Sequence, residues 1–451
     1  MTGTRLSLPR LLAFSLPNFS VGALAVALTV YLPHYFAAHY GLGLAAIGLA
    51  FAVIRLGDMF LDPLIGVAMD RTTTRFGRYR LWLIGGAPLL MLAVYMLFAP
   101  PGSVSFVYVA GWLLVYYIGY SLVTLSHSSW ASVIASKYHE RSRTFGAIQL
   151  VGILGAALIL TVPVAMAKRG GASGAGDVPA MGWFIVIAIP IGVLAAAALT
   201  RETLLPDAHS QRFGIRDYWE MVSRPDMRRI IIADFCLALG PGWMSSLYLF
   251  YFHDSRGFTV AAASTLLFIY IAAGILGAAG LAALAQKIGK HRTLQVASTG
   301  YSLGLIVIAL LPRGNYPVTA LAMFVVGFLA AGFVLLDRAM VADVGDAVRL
   351  EKGKQRTGLL YAMISTTQKL AGGASIGLSY ILLGAIGYQA REGAANTPSA
   401  IAGMELVYIL VPIVFVMLGG ACYIGYRLDD RAHAAIRAQL EARDAALAAS
   451  S

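Results

Sequence analysis

Residues Arg55 to Arg80 read RLGDMFLDPLIGVAMDRTTTRFGRYR, and this stretch decides the fold class. Its first part continues an apolar run that starts near residue 43. That run is long enough to cross the hydrocarbon core of a bilayer, which takes about 20 helical residues. Its second part is a short loop rich in arginine. Because cytoplasmic loops of membrane proteins concentrate Lys and Arg, the stretch predicts a membrane-spanning helix that ends in the cytoplasm.

The rest of the chain repeats this pattern. Of its 451 residues, 59% are hydrophobic and 12% are charged, whereas soluble globular proteins carry about 25% charged residues. We therefore predict an all-α polytopic membrane protein with twelve transmembrane helices. The predicted spans lie near residues 11–33, 43–69, 81–99, 104–136, 143–167, 180–200, 229–253, 260–286, 293–312, 316–345, 357–390 and 402–427.

A polar segment divides the spans into two sets of six. We predict an N-terminal six-helix bundle at 1–200, a cytoplasmic inter-bundle loop at 201–228, a C-terminal six-helix bundle at 229–427 and a cytoplasmic tail at 428–451. With both termini in the cytoplasm, the inner segments hold most of the 34 Lys and Arg residues. This distribution is expected of a multi-pass protein of the cell inner membrane. Two such bundles are typical of carriers that work by a rocking motion.

Three charged residues lie inside the second predicted span. Arg55, Asp58 and Asp62 are spaced by three and four positions, so they share one face of a helix. A charge at the centre of a bilayer costs about 2.5–3.5 kcal/mol and usually has a function. Two neighbouring carboxylates repel each other unless a cation or proton lies between them, and Pro63 leaves the carbonyl of Met59 without its helical partner. The sequence predicts a cation-binding site, although Arg55 could simply neutralise one Asp.

A fourth intramembrane charge, Lys369, lies in the run ISTTQKLAGG of the eleventh span. Ser365 and Thr366 precede it by four and three positions and share its helix face. A lysine that pairs with Asp58 or Asp62 and is released by cation or substrate would couple the two halves. The alternative is that Lys369 extends to the membrane interface.

Other charges lie nearer the ends of their spans. Asp234 and Glu405 can reach headgroups or water, so we leave them out of the site. Asp337 and Arg338 are adjacent, and they can pair with each other.

The sequence argues against several other functions. It contains no H-E-x-x-H, Walker or G-x-S-x-G motif, so we predict that the protein is not an enzyme. Cys236 and Cys422 make neither a zinc site nor a disulfide framework, and we expect no cofactor besides a coupling ion. The net charge of +12 comes from the inner loops, so we expect no nucleic-acid partner. The expected partners of this monomer are membrane lipid and a small-molecule substrate.

Four stretches resemble the glycoside-pentoside-hexuronide cation symporters of the major facilitator superfamily. They are Arg55 to Arg80, Trp130 with the later ERSR at Glu140 to Arg143, ADVGD at Ala342 to Asp346, and RTG at Arg356 to Gly358 leading into QKLAGG at Gln368 to Gly373. The resemblance implies the twelve-helix major facilitator fold. It also implies symport of a small organic solute, a glycoside or related carbohydrate, with sodium or a proton by alternating access.

The resemblance also assigns roles to residues. It implies that Asp58 and Asp62 hold the sodium ion or proton. The residues expected to bind the substrate or couple it to the ion are Asn18, Arg55, Ser126, Trp130, Ser365, Thr366 and Lys369. The residues expected to close a cytoplasmic gate by ion pairs are Asp70, Arg71, Arg75, Arg78, Arg141, Arg143, Asp343 and Asp346. The alternative for the basic gate residues is that they are ordinary positive-inside residues.

The chain departs from the sugar-transporting members at three positions. Asn18 and Ser126 stand where those members have carboxylates that bind sugar hydroxyls, and the weaker hydrogen bonds of neutral groups are expected here. Leu61 replaces an asparagine that helps to bind sodium, which makes proton coupling a reasonable alternative. The remaining alternatives are a symporter of lysolipids or other amphiphiles, a proton-coupled exporter, and a non-transporting membrane sensor.

Overall fold

The computed structural model describes residues 7–72, 74, 77–134, 138–169, 176–200, 202, 215–352, 357–391 and 393–450. Within these ranges the chain is helical and contains no strand. Ten helical segments of this described part are long and apolar enough to cross a membrane. Two further helices, Pro225–Ser246 and Thr357–Ala385, are less apolar because they carry more polar residues. Together with these two, the count agrees with the twelve predicted spans.

In the described part of the first half of the chain, nine helices form six predicted spans. These are α1 Leu8–Ser15, α2 Pro17–Val26, α3 Leu32–Tyr40, α4 Leu44–Arg71, α5 Tyr79–Phe98, α6 Phe106–Ile134, α7 Tyr138–Leu158, α8 Thr161–Lys168 and α9 Asp177–Leu199. The first span is interrupted before Pro17, which lacks an N–H and therefore begins a new helix. A π-helical turn, Ala27–Tyr31, then precedes α3, whose early Pro33 has no N–H to donate.

The second half follows the same plan. Its helices are α10 Ile215–Val222, α11 Pro225–Ser246, α12 Val260–Ile288, α13 Lys290–Leu310, α14 Tyr316–Lys352, α15 Thr357–Ala385, α16 Pro398–Ala421 and α17 Asp430–Ser450. A second π-helical segment, Phe250–Ser255, follows α11. The last helix, α17, lies in the segment predicted as a cytoplasmic tail.

By the packing of its backbone, the chain divides into two compact units. The first comprises Met1–His209, Ser245–Phe268 and Ile376–Met404. The second comprises Ser210–Met244, Ile269–Ser375 and Glu405–Ser451. This division does not test the bundles expected at 1–200 and 229–427, which stay a prediction.

Small residues allow helices to approach closely inside each unit. In the first unit, Gly155 of α7 lies against the backbone carbonyl of Phe19 in α2. In the second unit, Gly327 of α14 lies against the carbonyl of Tyr270 in α12. A side chain at either glycine would overlap that carbonyl oxygen. Because lipid provides no hydrophobic driving force between helices, such close backbone contact is a main source of attraction between them.

Candidate functional site

The charged residues of α4 form a cluster in the first unit. Asp58 is fully buried, and its Oδ2 lies 3.3 Å from Nη1 of Arg55, one helical turn earlier. The Arg55 guanidinium also lies over the ring of Tyr117 at 4.9 Å from its centroid. A cation over an aromatic face is stabilised by the negative charge density of the ring. The predicted common face of Arg55 and Asp58 is therefore confirmed.

A serine of α6 joins the two carboxylates of this cluster. Ser121 Oγ lies 2.9 Å from Asp58 Oδ1 and 2.6 Å from Asp62 Oδ1. Ser121 is 1% exposed, so its hydroxyl is shielded from bulk water. The sequence did not point to Ser121, because a single serine in an apolar span has many structural explanations. Its position among tyrosines, in YYIGYS, was the only available signal.

Tyrosines surround the guanidinium of this cluster. The rings of Tyr116 and Tyr120 stack at a centroid distance of 5.8 Å, and Tyr116 meets Tyr117 edge-on at 5.1 Å. Tyr117, which lies under the Arg55 guanidinium, is thus part of a group of three neighbouring aromatic rings. The site therefore combines a cation, two carboxylates, one hydroxyl and several aromatic faces, which are the groups that bind a small polar solute in an apolar pocket.

The other site residues predicted in the first half take part in helix packing. Trp130 is fully buried and meets Phe14 edge-on at 5.1 Å. Asn18 donates from Nδ2 to the carbonyl of Ile148 at 2.8 Å, and Ser126 donates to the carbonyl of Leu122, one turn earlier in α6, at 2.6 Å. These contacts stabilise α1, α2, α6 and α7. Substrate binding by the three residues stays a prediction.

The site residues of α15 lie in the second unit. Lys369 is half-buried, and Thr366 donates to the carbonyl of Ala362 at 3.0 Å. Ser365, one turn before Lys369, is exposed. The pairing of Lys369 with Asp58 or Asp62 stays a prediction.

The basic residues predicted to form the cytoplasmic gate follow α4 and begin α7. Arg78 donates from Nε to the carbonyl of Thr72 at 3.3 Å, and Arg71 is exposed. Arg143, early in α7, is half-buried. Arg75 and the side chains of Asp70 and Arg141 lie outside the described residues.

The acidic gate residues of α14 pair within the second unit. Asp343 binds Nζ of Lys290 at 2.8 and 2.5 Å, and Asp346 lies 3.1 Å from Nε2 of His433 in α17. His433 also lies 3.4 Å from Asp343. Charged groups thus hold α17 to α14, and the sequence did not reveal this contact. Ion pairing of these residues with the basic gate residues stays a prediction.

A cavity of about 410 Å³ lies in the first unit, beside the C-terminal end of α3 and the start of α9. Asp254 accepts a hydrogen bond from the hydroxyl of Tyr388 at 3.2 Å and lies 3.4 Å from Nε2 of His34. The two π-helical segments both contribute to this cavity, through Tyr31 and Asp254.

Comparisons with known proteins agree on one class. Residues 13–430 match a family described as MFS/sugar transport protein. The chain is 27% identical over 438 residues to the isoprimeverose transporter of Lactiplantibacillus pentosus, covering 92% of this chain and 88% of that protein. It is 26% identical over 442 residues to the glucuronide carrier protein homolog of Escherichia coli strain K12, covering 94% and 92%.

The fold is also similar to that of solved transporters. The crystal structure of the nucleoside transporter NupG matches with a TM-score of 0.66 at 12% sequence identity, covering 93% of this chain and 100% of that one. At this level of identity the similarity concerns the fold alone.

Proposed function

The chain belongs to the MFS/sugar transport family, and from this premise we propose that it carries a sugar or related glycoside in symport with a cation by alternating access. The twelve-helix fold is that of major facilitator transporters. The observation that carries the proposal is the buried contact of Asp58 and Asp62 with Ser121 inside a membrane helix bundle. Charged groups inside a membrane span are costly, and they usually mark an ion or substrate pathway.

The substrate class follows from the relatives named above. One is named for isoprimeverose and the other for glucuronides, and both names denote sugar derivatives. The alternative of a lysolipid or other amphiphile is not favoured. Membership of a transporter family also leaves no need to invoke an enzyme.

For the coupling ion, the geometry around Ser121 favours a proton. A hydroxyl carries one hydrogen, so Ser121 can donate to only one of the two carboxylates at a time. With both carboxylates ionised, the other contact would bring two electron-rich oxygens together at 2.6 or 2.9 Å. Both contacts are favourable when one carboxyl carries a proton and donates it to Ser121. Leu61, in place of a sodium-binding asparagine, agrees with this choice.

Coupling then works through charge. A proton on the Asp58 and Asp62 pair removes one negative charge, so Arg55 and Lys369 lose part of their attraction to the pair and can interact with the solute. Asn18, Ser126 and Trp130 complete the proposed solute site, and the gate residues close its cytoplasmic side. We place the chain in the cell inner membrane with both termini in the cytoplasm.

The test is uptake of radiolabelled xylosides, galactosides and glucuronides into proteoliposomes under an imposed pH gradient. We expect Asp62→Asn to abolish accumulation against a gradient, because an amide cannot take up the coupling proton. Glu405→Gln is the matched control, since Glu405 of α16 lies in the second unit and contacts the exposed Arg313, and it should accumulate solute like the wild type. Wild-type accumulation by Asp62→Asn would refute the proposed role of the carboxylate pair.

The ion itself is identified by thermal stability. A ligand that binds only the folded protein raises the apparent melting temperature. We expect a sugar to stabilise the purified protein more strongly at low pH than at high pH, and equally in sodium and potassium. Stabilisation that requires sodium at both pH values would show that the proton assignment is wrong while leaving sugar transport in place.

A further inference from the structure

Two more carboxylates are buried in the second unit, on different helices. Asp234 of α11 is 3% exposed and Asp337 of α14 is 1% exposed. The sequence placed Asp234 within reach of water, and its burial corrects that expectation. A buried charge without a full set of partners is strongly unfavourable, because no water is present to solvate it. These residues are not used by the proposed carboxylate pair of α4.

Each carboxylate has one hydrogen-bonded oxygen. Gln368 of α15 donates from Nε2 to Asp234 Oδ1 at 3.1 Å. The hydroxyl of Tyr423, just after α16, donates to Asp337 Oδ1 at 2.5 Å. Among the residues that the structure describes, the buried Oδ2 of each carboxylate has no hydrogen-bond partner. Four helices or their ends thus converge on two acids, with one donor for each.

The charges around the two acids do not compensate both of them. If both were ionised, the carboxylates of Asp234 and Asp337 would repel each other. Arg338 attracts both carboxylates, but one positive charge cannot neutralise two negative charges. Among the described residues, Tyr423 and Tyr426 also lie near these acids, and these phenols carry no positive charge; Arg229 acts on Tyr426. Two ionised carboxylates would therefore leave excess negative charge in a low-dielectric interior.

We propose that Asp234 and Asp337 form a second proton-binding site, in which the pair holds one proton taken from water. A carboxylate and a hydronium ion give a neutral carboxyl and a water molecule, so no other reactant is needed. Protonation removes one negative charge. It also changes one Oδ2 atom without a hydrogen-bond partner into a hydroxyl donor. The two neighbouring side chains, Gln368 and Tyr423, both donate hydrogen bonds to the acids. A pair made of one carboxyl and one carboxylate can accept both of them.

The site is linked to the transport cycle through α15, and this step rests on the proposed function. Gln368 immediately precedes Lys369, the predicted coupling residue. A movement of α15 that shifts Lys369 also shifts Gln368 and breaks its bond to Asp234. The carboxylate of Asp234 then loses the donor that stabilises its ionised form, so proton binding becomes more favourable. Proton occupancy of this site therefore follows the position of α15.

Infrared difference spectroscopy of the purified protein tests the site directly. A protonated carboxyl has a C=O stretch that is separate from carboxylate bands and shifts in D₂O. We expect such a band in the wild type and its loss or displacement in both Asp234→Asn and Asp337→Asn. Unchanged carboxyl bands in both variants would overturn the proposal. If one of the variants does not fold, Tyr423→Phe examines the same pair, because removal of this donor should make the band persist to higher pH.

The same experiment separates this proposal from the proposed function. The band of this pair should remain in Asp62→Asn, whatever that variant does to uptake. If Asp62→Asn accumulates sugar but the band disappears in Asp337→Asn, the proton site stands and the coupling role of α4 fails. If uptake depends on Asp62 but the band is independent of Asp234 and Asp337, the second site fails alone.

The link to α15 has its own test. Gln368→Leu should keep the carboxyl band to higher pH than in the wild type. Thr367→Val is the matched control on the same helix, because Thr367 Oγ1 donates only to the carbonyl of Met363, at 3.0 Å, and should leave the titration unchanged. A Gln368→Leu protein that titrates like the wild type would disprove the link.

Discussion

At the scale of single residues, the site depends on a hydroxyl that holds two acids together. Asp58 and Asp62 lie one turn apart on α4, and without a mediator they would repel each other. Ser121 of α6 meets both of them. The geometry of the carboxylate pair is thus determined by a neighbouring helix as well as by the spacing within α4.

This contact leads to a prediction for Ser121. Ser121→Ala removes the hydroxyl from both carboxylates, and a hydrogen bond to a charged group contributes about 1.5–3 kcal/mol. We expect the initial rate of proton-driven uptake to fall by about tenfold or more, since 1.4 kcal/mol corresponds to about tenfold. Ser121→Thr keeps the hydroxyl and should retain most of the activity. Uptake into proteoliposomes measures the effect.

The control for this prediction lies on the same helix. Thr124 Oγ1 donates to the carbonyl of Tyr120, one turn earlier in α6, at 2.8 Å. Thr124→Val removes that hydroxyl without touching the carboxylates and should transport like the wild type. Equal rates for Ser121→Ala and Thr124→Val would show that Ser121 has no special role.

At the scale of elements, close helix contact replaces the hydrophobic effect as the source of stability. Lipid tails are as apolar as leucine, so helices gain little by hiding apolar surface from lipid. They gain by dispersion contacts over closely spaced backbones. The contact between α2 and α7 at Phe19 and Gly155 is an example, because the space there admits no side chain.

We expect Gly155→Ala to destabilise the protein. The added methyl group would overlap the Phe19 carbonyl, and overpacking of this kind costs about 1–3 kcal/mol. Gly146, on the same helix, has open space at the corresponding position, so Gly146→Ala should be neutral or slightly stabilising through its better helix propensity. Thermal unfolding of the detergent-purified proteins compares the two, and an equal or higher melting temperature for Gly155→Ala would contradict the packing argument.

At the scale of the whole molecule, the distribution of charge predicts how the chain is oriented in the membrane. Lys and Arg are concentrated in alternate loops, and such loops stay in the cytoplasm. The proposed orientation puts α17 inside the cell and the loop around Gly102, between α5 and α6, outside. Both positions are exposed: Gly102 has open space around it, and Ala438 lies on the exposed side of α17.

Cysteine labelling in cells tests this orientation. In a chain with Cys422→Ser, where the other native thiol, Cys236, is buried, we expect Gly102→Cys to react with a membrane-impermeant maleimide in intact cells. Ala438→Cys should react only after the membrane is permeabilised, because it lies inside. Labelling of Ala438→Cys in intact cells would show that the orientation is reversed.

The sequence by itself determined the membrane class, the twelve spans and the charged face of α4. Hydropathy over about 20 residues and spacings of three or four positions are local properties, and a helix converts them directly into a buried span and a common face. For the same reason the basic loops predicted an orientation. The break of the first span at Pro17 also has a local cause, although the sequence analysis treated that span as one continuous helix.

Only the tertiary structure decided which distant residues meet. Ser121 lies 59 positions from Asp62, Tyr423 lies 86 positions from Asp337, and Gln368 lies 134 positions from Asp234. Each of these pairs joins different helices, and their contact depends on helix rotation and separation, which hydropathy does not encode. A buried polar side chain can be satisfied by its own helix or by a neighbouring one, as Thr124 and Ser121 show. The choice between these two possibilities is made by packing.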